Sequence, residues 1–167
     1  MKILHAGCGG ERLPPQYLPF NAEEVRLDAD PDVKPDIIAS IDNLGDIGPF
    51  DGIHCSHCLE HLQWDDAHKA LSEFHRVLKV GGFVYIQVPN IEGVKPTEEV
   101  LYEVNGLKIT GLDILYGCRV FSRDNPWMLH RCGWIPETLK KALEDAGFQH
   151  VKLVAAGLYL DIAGIKL

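Results

Sequence analysis

The first residues that could do chemistry are a cluster of glycines that directly follows an apolar stretch. Ile3-Leu4-His5-Ala6 runs into Gly7-Cys8-Gly9-Gly10, and a second apolar segment farther along ends in Asp28. Glycine has no Cβ, so the backbone of such a turn can approach a ligand closely. An aspartate at the tip of the neighbouring strand can accept hydrogen bonds from both ribose hydroxyls of a nucleotide. This pairing predicts an enzyme that depends on a nucleotide-containing cofactor.

The glycines allow two other interpretations. A dinucleotide fingerprint, G-x-G-x-x-G, would need glycine at position 12, where Arg12 stands, and would need a following helix that prolines block. The glycines could also be an ordinary tight turn without a ligand. Both interpretations stay open behind the hypothesis of a nucleotide cofactor.

A second group of reactive side chains is rich in histidine. The segment His57-Cys58-Leu59-Glu60-His61 matches the H-x-x-E-H pattern of inverted zinc peptidases, in which two imidazoles on one helix face bind a metal. So loose a pattern matches often by chance, and a metal-dependent hydrolase that uses His57, Glu60 and His61 is kept only as an alternative. Cys55 and Cys58 form one C-x-x-C pair without a second pair at zinc-finger spacing. We therefore predict no metal site.

Strands and helices alternate along the chain in an order that predicts an α/β fold. Helix 65–79 shows apolar residues at the 3.6-residue period and ends at Gly81-Gly82, and a second helix runs from Pro136 to Gly147. We predict a Rossmann-like, mostly parallel seven-stranded sheet with helices on both faces, formed by strands 2–6, 24–28, 36–41, 50–55, 83–89, 150–156 and 158–166.

The connections between the first three strands are short or rich in proline. Pro14, Pro15 and Pro19 interrupt the first connection, because each removes a backbone donor and clashes with the preceding helical turn. We expect a loop or one short turn there, and a fold trimmed of helices between its first three strands. Part of one sheet face would then be thinly covered, which favours a homodimer that covers it.

Residues 91–134 show weak periodicity and follow the carboxyl end of the fifth predicted strand. Ligands of open α/β sheets bind at that edge, and a long insertion there is typical of a lid or substrate loop. We therefore predict that residues 1–167 form a single domain, in which residues 91–134 are a substrate-binding insertion.

The composition is that of an ordinary globular protein. The net charge of −8 argues against a general binder of phosphate backbones, so no nucleic acid is expected as a partner. We find no apolar run long enough for a membrane span and no secretory pattern at the N-terminus. Five cysteines at irregular spacing do not suggest a disulfide framework. We expect no membrane association and a cytoplasmic location.

Several motifs in a fixed order resemble those of class I S-adenosylmethionine-dependent methyltransferases. The compressed first half is most similar to compact bacterial members of the methyltransferase type 11 kind. The segments that carry the resemblance are Leu4 to Gly10, Phe50 to Ile53, Leu59 to Leu62, Glu73 to Gly82, and Gly133-Trp134 through Phe148.

The resemblance implies S-adenosyl-L-methionine as the cofactor and methyl transfer as the activity. Asp28 stands where the family has its ribose-binding acid, and Asp42-Asn43-Leu44 where it has adenine-contacting residues. A histidine suits a general base near neutral pH, so His57 is the catalytic candidate, followed by His61 and His130. The residues implied for the cofactor are Gly7, Cys8, Gly9, Gly10, Asp28, Ala29, Asp42, Asn43, Leu44 and Ser56.

Two residues depart from the family pattern. His5 stands where the family has an acid that helps hold the methionine amino group, and Glu11 replaces the third glycine. A nearby carboxylate is an alternative partner for that amino group. We predict in-line methyl transfer to a small-molecule or carbohydrate acceptor. The departures keep open a second hypothesis, a catalytically silent module that binds the cofactor or a partner protein.

Overall fold

The computed structural model describes residues 1–104, 106–123 and 125–167. Its strands are β1 Lys2–Ala6, β2 Glu23–Asp28, β3 Ile37–Ile38, β4 Phe50–Ser56, β5 Leu78–Pro89, β6 Val100–Val104, β7 Leu107–Thr110, β8 Gln149–Ala156 and β9 Tyr159–Ile165. Its α-helices are α1 Trp64–Val77, α2 Gly111–Tyr116, α3 Arg119–Ser122 and α4 Pro136–Asp145. Short 3₁₀ segments cover Pro15–Phe20, Pro31–Val33, Leu59–His61 and Pro126–Met128.

Seven of these strands form one sheet in the order β3-β2-β1-β4-β5-β9-β8. The first five in that order are parallel neighbours, whereas β9 runs antiparallel to both β5 and β8. Leu4 of β1 lies opposite Val25 of β2 and Ile53 of β4. The predicted Rossmann-like, mostly parallel seven-stranded sheet is confirmed. Its parallel strands bring their carboxyl ends to one edge, where the functional loops meet.

The apolar core lies between one face of this sheet and the two long helices. Successive residues of a strand point to opposite faces, and Leu4, Ile53 and Ile86 point to the face that α1 and α4 cover. Phe74 of α1 and Leu139 of α4 pack in the same cluster and are fully buried. Each such side chain stabilises the fold by about 1.5–3 kcal/mol.

The opposite face of the sheet carries the short connection between β1 and β2. The prolines predicted a loop or a single turn there, and the chain forms the 3₁₀ segment Pro15–Phe20. The Tyr17 hydroxyl lies 3.2 Å from Nδ1 of His54, and the Tyr17 ring stacks on Phe83 with centroids 6.5 Å apart. Leu18 of the same segment is mostly exposed. That a homodimer covers this face stays a prediction.

The predicted boundary between the first long helix and the fifth strand is wrong. α1 ends at Val77 and β5 begins at Leu78, so Gly81-Gly82 lie inside the strand instead of ending the helix. Leu78 pairs with Phe50, and the register shifts before Phe83 continues the ladder. Pairing with β4 therefore decides where the helix stops.

β3 is also shorter than predicted, with Ile37–Ile38 in place of residues 36–41. The N–H of Ala39 still donates to the carbonyl of Asp28, at 3.0 Å. A turn then follows, closed by a 3.0 Å bond from the N–H of Asn43 to the carbonyl of Ser40. This turn takes the chain away from the sheet at its carboxyl edge.

Residues 91–134, which we call the lid segment, contain the hairpin β6–β7 followed by α2 and α3. Thr110 and Asp113 form a capping box at the start of α2. Arg119 lies 2.8 Å from both carboxylate oxygens of Glu98 and 3.1 Å from Oδ1 of Asp113. These bonds tie α3 to α2 and to the segment that precedes β6. Within the described ranges, we find no helix with the length and apolar character that crossing a membrane requires.

Candidate active site

A cavity of about 470 Å³ opens at the carboxyl ends of β1, β2 and β4. These ends converge because the three strands are parallel neighbours in the sheet. Trp127, Met128 and Arg131 of the lid segment form part of the wall. The other lining residues are His5, Gly7, Cys8, Gly9, Glu11, Arg12, Pro14, Asp28, Ala29, Ala39, Ser40, Ile41, His54, Ser56, His57, Cys58, His61 and Leu62.

The glycine loop after β1 packs tightly against the loop after β4. Gly7 has a φ of +67°, and a Cβ at this position would overlap the side chain of Cys58. Both the conformation and the space therefore require glycine. The N–H groups of Gly7 and Cys8 donate to the carbonyl of Leu27, at 2.8 and 3.1 Å. The loop is thus fixed to β2, while the space around Gly9 stays open for a ligand.

Asp28 ends β2 with both carboxylate oxygens held by backbone N–H groups. Oδ2 accepts from Gly9 at 2.8 Å, and Oδ1 accepts from Asp30 at 2.9 Å. Each oxygen has further lone-pair capacity. The carboxylate therefore lines the cavity in a fixed orientation and can still accept hydrogen bonds from the hydroxyls of a ligand.

His5, which replaces the family acid, is backed by a carboxylate. Its Nδ1 lies 2.8 Å from Oε1 of Glu24, and the same oxygen accepts from the N–H of Leu13 at 2.9 Å. Arg12 donates to the other oxygen at 3.0 Å. Burial would raise the pKa of Glu24, but the hydrogen bonds from these three residues lower it overall. The negative charge of Glu24 therefore lies one side chain behind His5, the position at which the family has its acid.

His54 forms another part of the cavity wall. Its ring stacks on Tyr85 with centroids 5.4 Å apart and meets the ring of His5 edge-on at 5.3 Å. Burial lowers the pKa of His54 to about 4. The imidazole is therefore neutral at neutral pH.

His57 begins the loop after β4 in a conformation that is uncommon for its residue type. Its φ of +50° lies in the left-handed region, and strain of this kind clusters at functional sites. Its N–H donates to the carbonyl of Gln87 at 2.9 Å, and its ring meets Tyr159 edge-on at 4.8 Å. Nδ1 of His57 is 3.4 Å from Oε1 of Glu60. The imidazole thus lines the cavity with one nitrogen next to a carboxylate.

Glu60 is a buried carboxylate, only 1% exposed. Within the described ranges, neither of its oxygens has a hydrogen-bond partner. Its backbone carbonyl accepts from the N–H of Arg131 at 2.8 Å, which ties this loop to the lid segment. Burial would raise the pKa of Glu60, but the imidazoles of His57, His61 and His130 lower it below its ordinary value. The side chain is therefore ionised at neutral pH.

Two histidines from distant parts of the chain meet beside Glu60. His61 belongs to the 3₁₀ segment Leu59–His61, His130 belongs to the lid segment, and their ring centroids are 5.2 Å apart. Burial lowers the pKa of His130, so its imidazole is neutral at neutral pH. Two imidazoles of the loop after β4 and one of the lid segment thus lie around one carboxylate.

A sequence profile described as a methyltransferase domain matches residues 1–153. The chain belongs to this methyltransferase family. The resemblance to class I S-adenosylmethionine-dependent methyltransferases is confirmed, and with it the enzyme class and the cofactor S-adenosylmethionine. No curated protein matches the sequence.

Solved structures share the fold over nearly the whole chain. A SAM-dependent methyltransferase from Archaeoglobus fulgidus has a TM-score of 0.66 and 19% identity, with coverage of 99% of this chain and 86% of that one. The 1,6-didemethyltoxoflavin-N1-methyltransferase of Burkholderia thailandensis, bound to 1,6-didemethyltoxoflavin and S-adenosylhomocysteine, has a TM-score of 0.62 and 19% identity, with coverage of 99% and 70%. A Thermotoga maritima protein described as a possible histamine N-methyltransferase has a TM-score of 0.64 and 16% identity, with coverage of 99% and 82%.

The cavity of this methyltransferase collects part of the predicted site. The predicted residues that line it are Gly7, Cys8, Gly9, Asp28, Ala29, Ser56, His57 and His61, and those outside the lining are Gly10, Asp42, Asn43, Leu44 and His130.

The segment predicted to contact adenine, Asp42-Asn43-Leu44, lies outside the cavity lining. Ala39, Ser40 and Ile41 line the cavity, because the turn after β3 places them at the sheet edge. Asp42 instead accepts from the hydroxyl of Ser40, and the buried Leu44 donates its N–H to Glu73 at 3.0 Å.

The zinc-peptidase alternative needs His57 and His61 on one helix face, and the structure contradicts this requirement. β4 extends to Ser56, His57 has a positive φ, and only Leu59–His61 are helical. Sequence reasoning also missed Trp127 and Met128, which belong to the apolar run Trp127-Met128-Leu129 of the insertion.

Proposed function

We propose that this methyltransferase binds S-adenosylmethionine in the cavity and methylates a small-molecule or carbohydrate acceptor. The proposal depends on Asp28, whose carboxylate lines the cavity and is fixed by the N–H groups of Gly9 and Asp30. Two vicinal ribose hydroxyls need acceptors that are held in this way. When bound, the cofactor supplies a methyl group that its sulfonium activates.

The surroundings of Asp28 fit an adenosine. A Cβ on Gly9 or Gly10 would meet no atom within 4 Å, so the loop leaves open space for a ligand. Ala39 and Ile41 offer small and apolar surfaces for an adenine ring, and Ser40 lies between them. The three residues stand at the end of β3, beside the strand that carries Asp28.

Charged residues beside the glycine loop suit the methionine part of the cofactor. Glu11 and Arg12 both line the cavity, and they offer a carboxylate for the ammonium and a guanidinium for the carboxylate. His5 does not supply the negative charge of the family acid, and Glu24 behind it already accepts from three donors. We therefore assign the ammonium to Glu11.

The acceptor is expected to bind under the lid segment. Trp127 and Met128 provide an apolar surface and Arg131 a cation in the same cavity as His57. A cavity of about 470 Å³ that also holds the cofactor suits a small acceptor better than a folded polymer. The structure from Burkholderia thailandensis, with 1,6-didemethyltoxoflavin bound to the same fold, supports this class of acceptor.

For an oxygen acceptor, His57 is the proposed general base. With the cofactor bound, its sulfonium would supply the methyl group to the acceptor hydroxyl oxygen, and S-adenosylhomocysteine would be the other product. The hydroxyl proton passes to Nε2 of His57, and Glu60, 3.4 Å from Nδ1, stabilises the imidazolium that forms. Alignment of the acceptor oxygen with the methyl carbon and the sulfur would supply most of the remaining rate enhancement.

Calorimetric titration with S-adenosylhomocysteine tests the cofactor site. The wild-type protein should bind one ligand per chain, and Asp28→Ala should weaken binding at least tenfold, since loss of a charged acceptor costs about 1.5–3 kcal/mol. Asp32→Asn is the control, because Asp32 is exposed and lies outside the cavity lining. Equal affinities of wild type and Asp28→Ala would contradict the proposal.

A panel of phenols, hydroxylated heterocycles and monosaccharides tests the acceptor class, with release of S-adenosylhomocysteine as the measurement. At least one of these classes should give turnover that saturates with acceptor concentration. Turnover with proteins or nucleic acids, and with none of the small compounds, would contradict a small acceptor.

A further inference from the structure

Glu60, His61 and His130 place their side chains close enough to share one ion. One ligand atom from each residue lies within 4.8 Å of the other two. His61 also lines the cavity, so this cluster borders the space assigned to the acceptor. This cluster differs from the one in the zinc-peptidase alternative, because His130 of the lid segment takes the place of His57.

Backbone carbonyls fix the tautomers of both histidines. Nδ1 of His61 lies 3.1 Å from the carbonyl oxygen of Leu129, and Nδ1 of His130 lies 2.8 Å from that of Ile114. A carbonyl can only accept, so Nδ1 of each ring is the donor and Nε2 is the nitrogen that is left to bind an ion. Histidines that bind metals are oriented by this kind of second hydrogen bond.

The Glu60 carboxylate supplies an independent observation that points to a bound ion. Its carboxylate is 1% exposed, and neither oxygen has a hydrogen-bond partner in the described part of the chain. Nδ1 of His57 lies 3.4 Å from Oε1 of Glu60. A buried carboxylate is stable when it is paired or binds a metal.

We propose that Glu60, His61 and His130 bind a divalent transition-metal cation beside the acceptor part of the cavity. Two imidazoles and one carboxylate suit Mn²⁺, Co²⁺ or Zn²⁺ better than Ca²⁺ or Mg²⁺, which prefer oxygen ligands. Three protein ligands leave coordination positions for water or for an acceptor oxygen. This replaces the sequence-based prediction of no metal site.

A bound cation would polarise the acceptor hydroxyl and lower its pKa, so that His57 removes the proton more easily. This role rests on the proposed function, whereas cation binding itself does not. The binding measurement is therefore made without cofactor and acceptor. A titration with S-adenosylhomocysteine in the presence of chelator tests the cofactor site separately.

The test is a calorimetric titration of chelator-treated protein with MnCl₂, repeated by electron paramagnetic resonance of free Mn²⁺. Mn²⁺ is the probe because the cysteine thiols of this chain prefer softer ions. We expect one saturable site in the wild type and at least tenfold weaker binding in Glu60→Gln and in His61→Ala. His150→Asn on β8 is the control, and it should bind Mn²⁺ like the wild type.

His61→Ala keeps the test valid if Glu60→Gln does not fold, because His61 is only partly buried. Circular dichroism identifies the folded variants. The proposal is overturned if the wild type shows no saturable Mn²⁺ binding, or if the folded variants bind Mn²⁺ as tightly as the wild type does.

Discussion

Two carboxylates near the cavity, Asp28 and Glu60, are held in opposite ways. Each oxygen of Asp28 accepts a backbone N–H, and the carboxylate lines the cavity. Both oxygens of Glu60 are buried without a hydrogen-bond partner in the described ranges, among three imidazoles. In the region proposed for the cofactor, the carboxylate is thus held in place without a ligand, whereas the loop after β4 holds a buried negative charge that a bound ligand could pair.

The difference follows from how each region is built. The N–H of Gly7 donates to the carbonyl of Leu27, and the Asp28 carboxylate accepts from the N–H groups of Gly9 and Asp30, so backbone groups hold this region in place. The side chains of His57 and Glu60 lie 3.4 Å apart, and the lid segment is tied to this loop by the N–H groups of Arg131 and Cys132, which donate to the backbone carbonyl of Glu60. Main-chain geometry suits a cofactor that the whole family shares, and side chains suit an acceptor that differs between members.

The largest expected effect is a loss of turnover when His57 is replaced. Cofactor binding should hardly change, so this variant distinguishes the two regions. His57→Asn should lower kcat by about 10²–10⁴-fold, the usual contribution of a general base, because the proposed proton acceptor is lost. Asparagine tolerates the φ of +50° at this position. Binding of S-adenosylhomocysteine should stay within about twofold of wild type, since His57 is not part of the proposed cofactor contacts. Release of S-adenosylhomocysteine from the best acceptor measures the change.

A matched control exists at His150, whose φ of +51° nearly equals that of His57. His150→Asn makes the same chemical change in the same backbone conformation, but on the exposed part of β8. It should leave kcat unchanged. A kcat for His57→Asn equal to that of this control would remove His57 from the mechanism.

A second variant breaks the cofactor region instead. Gly7→Ala should destabilise the protein by about 2–4 kcal/mol, because it adds left-handed strain and overlap with Cys58. Gly10→Ala is the control, since a Cβ there meets no atom within 4 Å. Urea denaturation measures both, and Gly10→Ala should stay within about 0.5 kcal/mol of wild type. Similar losses in the two variants would show that the contact with Cys58 does not constrain the loop.

His54 differs from His57 in the partner of its imidazole. His54 hydrogen-bonds to the hydroxyl of Tyr17, whereas His57 lies beside the carboxylate of Glu60. Burial lowers the pKa of His54 from 6.5 to about 4. Between these values the unfolded state binds more protons than the folded state, so stability falls as the pH drops. This group alone should remove about 2 kcal/mol between pH 7 and pH 5.

Urea denaturation at the two pH values measures this loss, and His54→Gln is the informative variant. Glutamine does not titrate, so the stability of the variant should depend less on pH by about the same 2 kcal/mol. Parallel pH profiles for wild type and His54→Gln would mean that His54 is protonated equally easily in the folded and unfolded states.

The sheet could be predicted from sequence wherever local pattern and tertiary pairing agree. Pro136 and Gly147 mark the bounds of α4 because proline suits a first helical turn and Gly147 has a φ of +99°. The boundary at Leu78 could not be predicted, since Leu78-Lys79-Val80 continues the apolar period of α1. Only the pairing of Leu78 with Phe50, far away in sequence, makes it a strand.

The candidate site, like the sheet, could be predicted only where the signals are local in sequence. The glycine loop and Asp28 could be predicted because strand ends and glycines are local signals. The meeting of Glu60 with His130 could not, because nothing in the sequence says which residue of a long insertion returns to the loop after β4. Ala39 to Ile41 were missed for a related reason: the turn from Ser40 to Asn43 decides which residues of that segment face the cavity.

The smallest expected effect concerns Glu11, the carboxylate that we assign to the ammonium group of the cofactor. Glu11→Gln should weaken S-adenosylmethionine binding by about threefold to fivefold, because an exposed ion pair contributes at most about 1 kcal/mol. Binding of 5′-methylthioadenosine, which lacks the amino-acid group, should not change. Calorimetry of both ligands isolates the ammonium contact, and Glu23→Gln on β2 is the control for the lost charge. If both ligands lose affinity equally in Glu11→Gln, the carboxylate of Glu11 acts on the glycine loop and not on the ammonium.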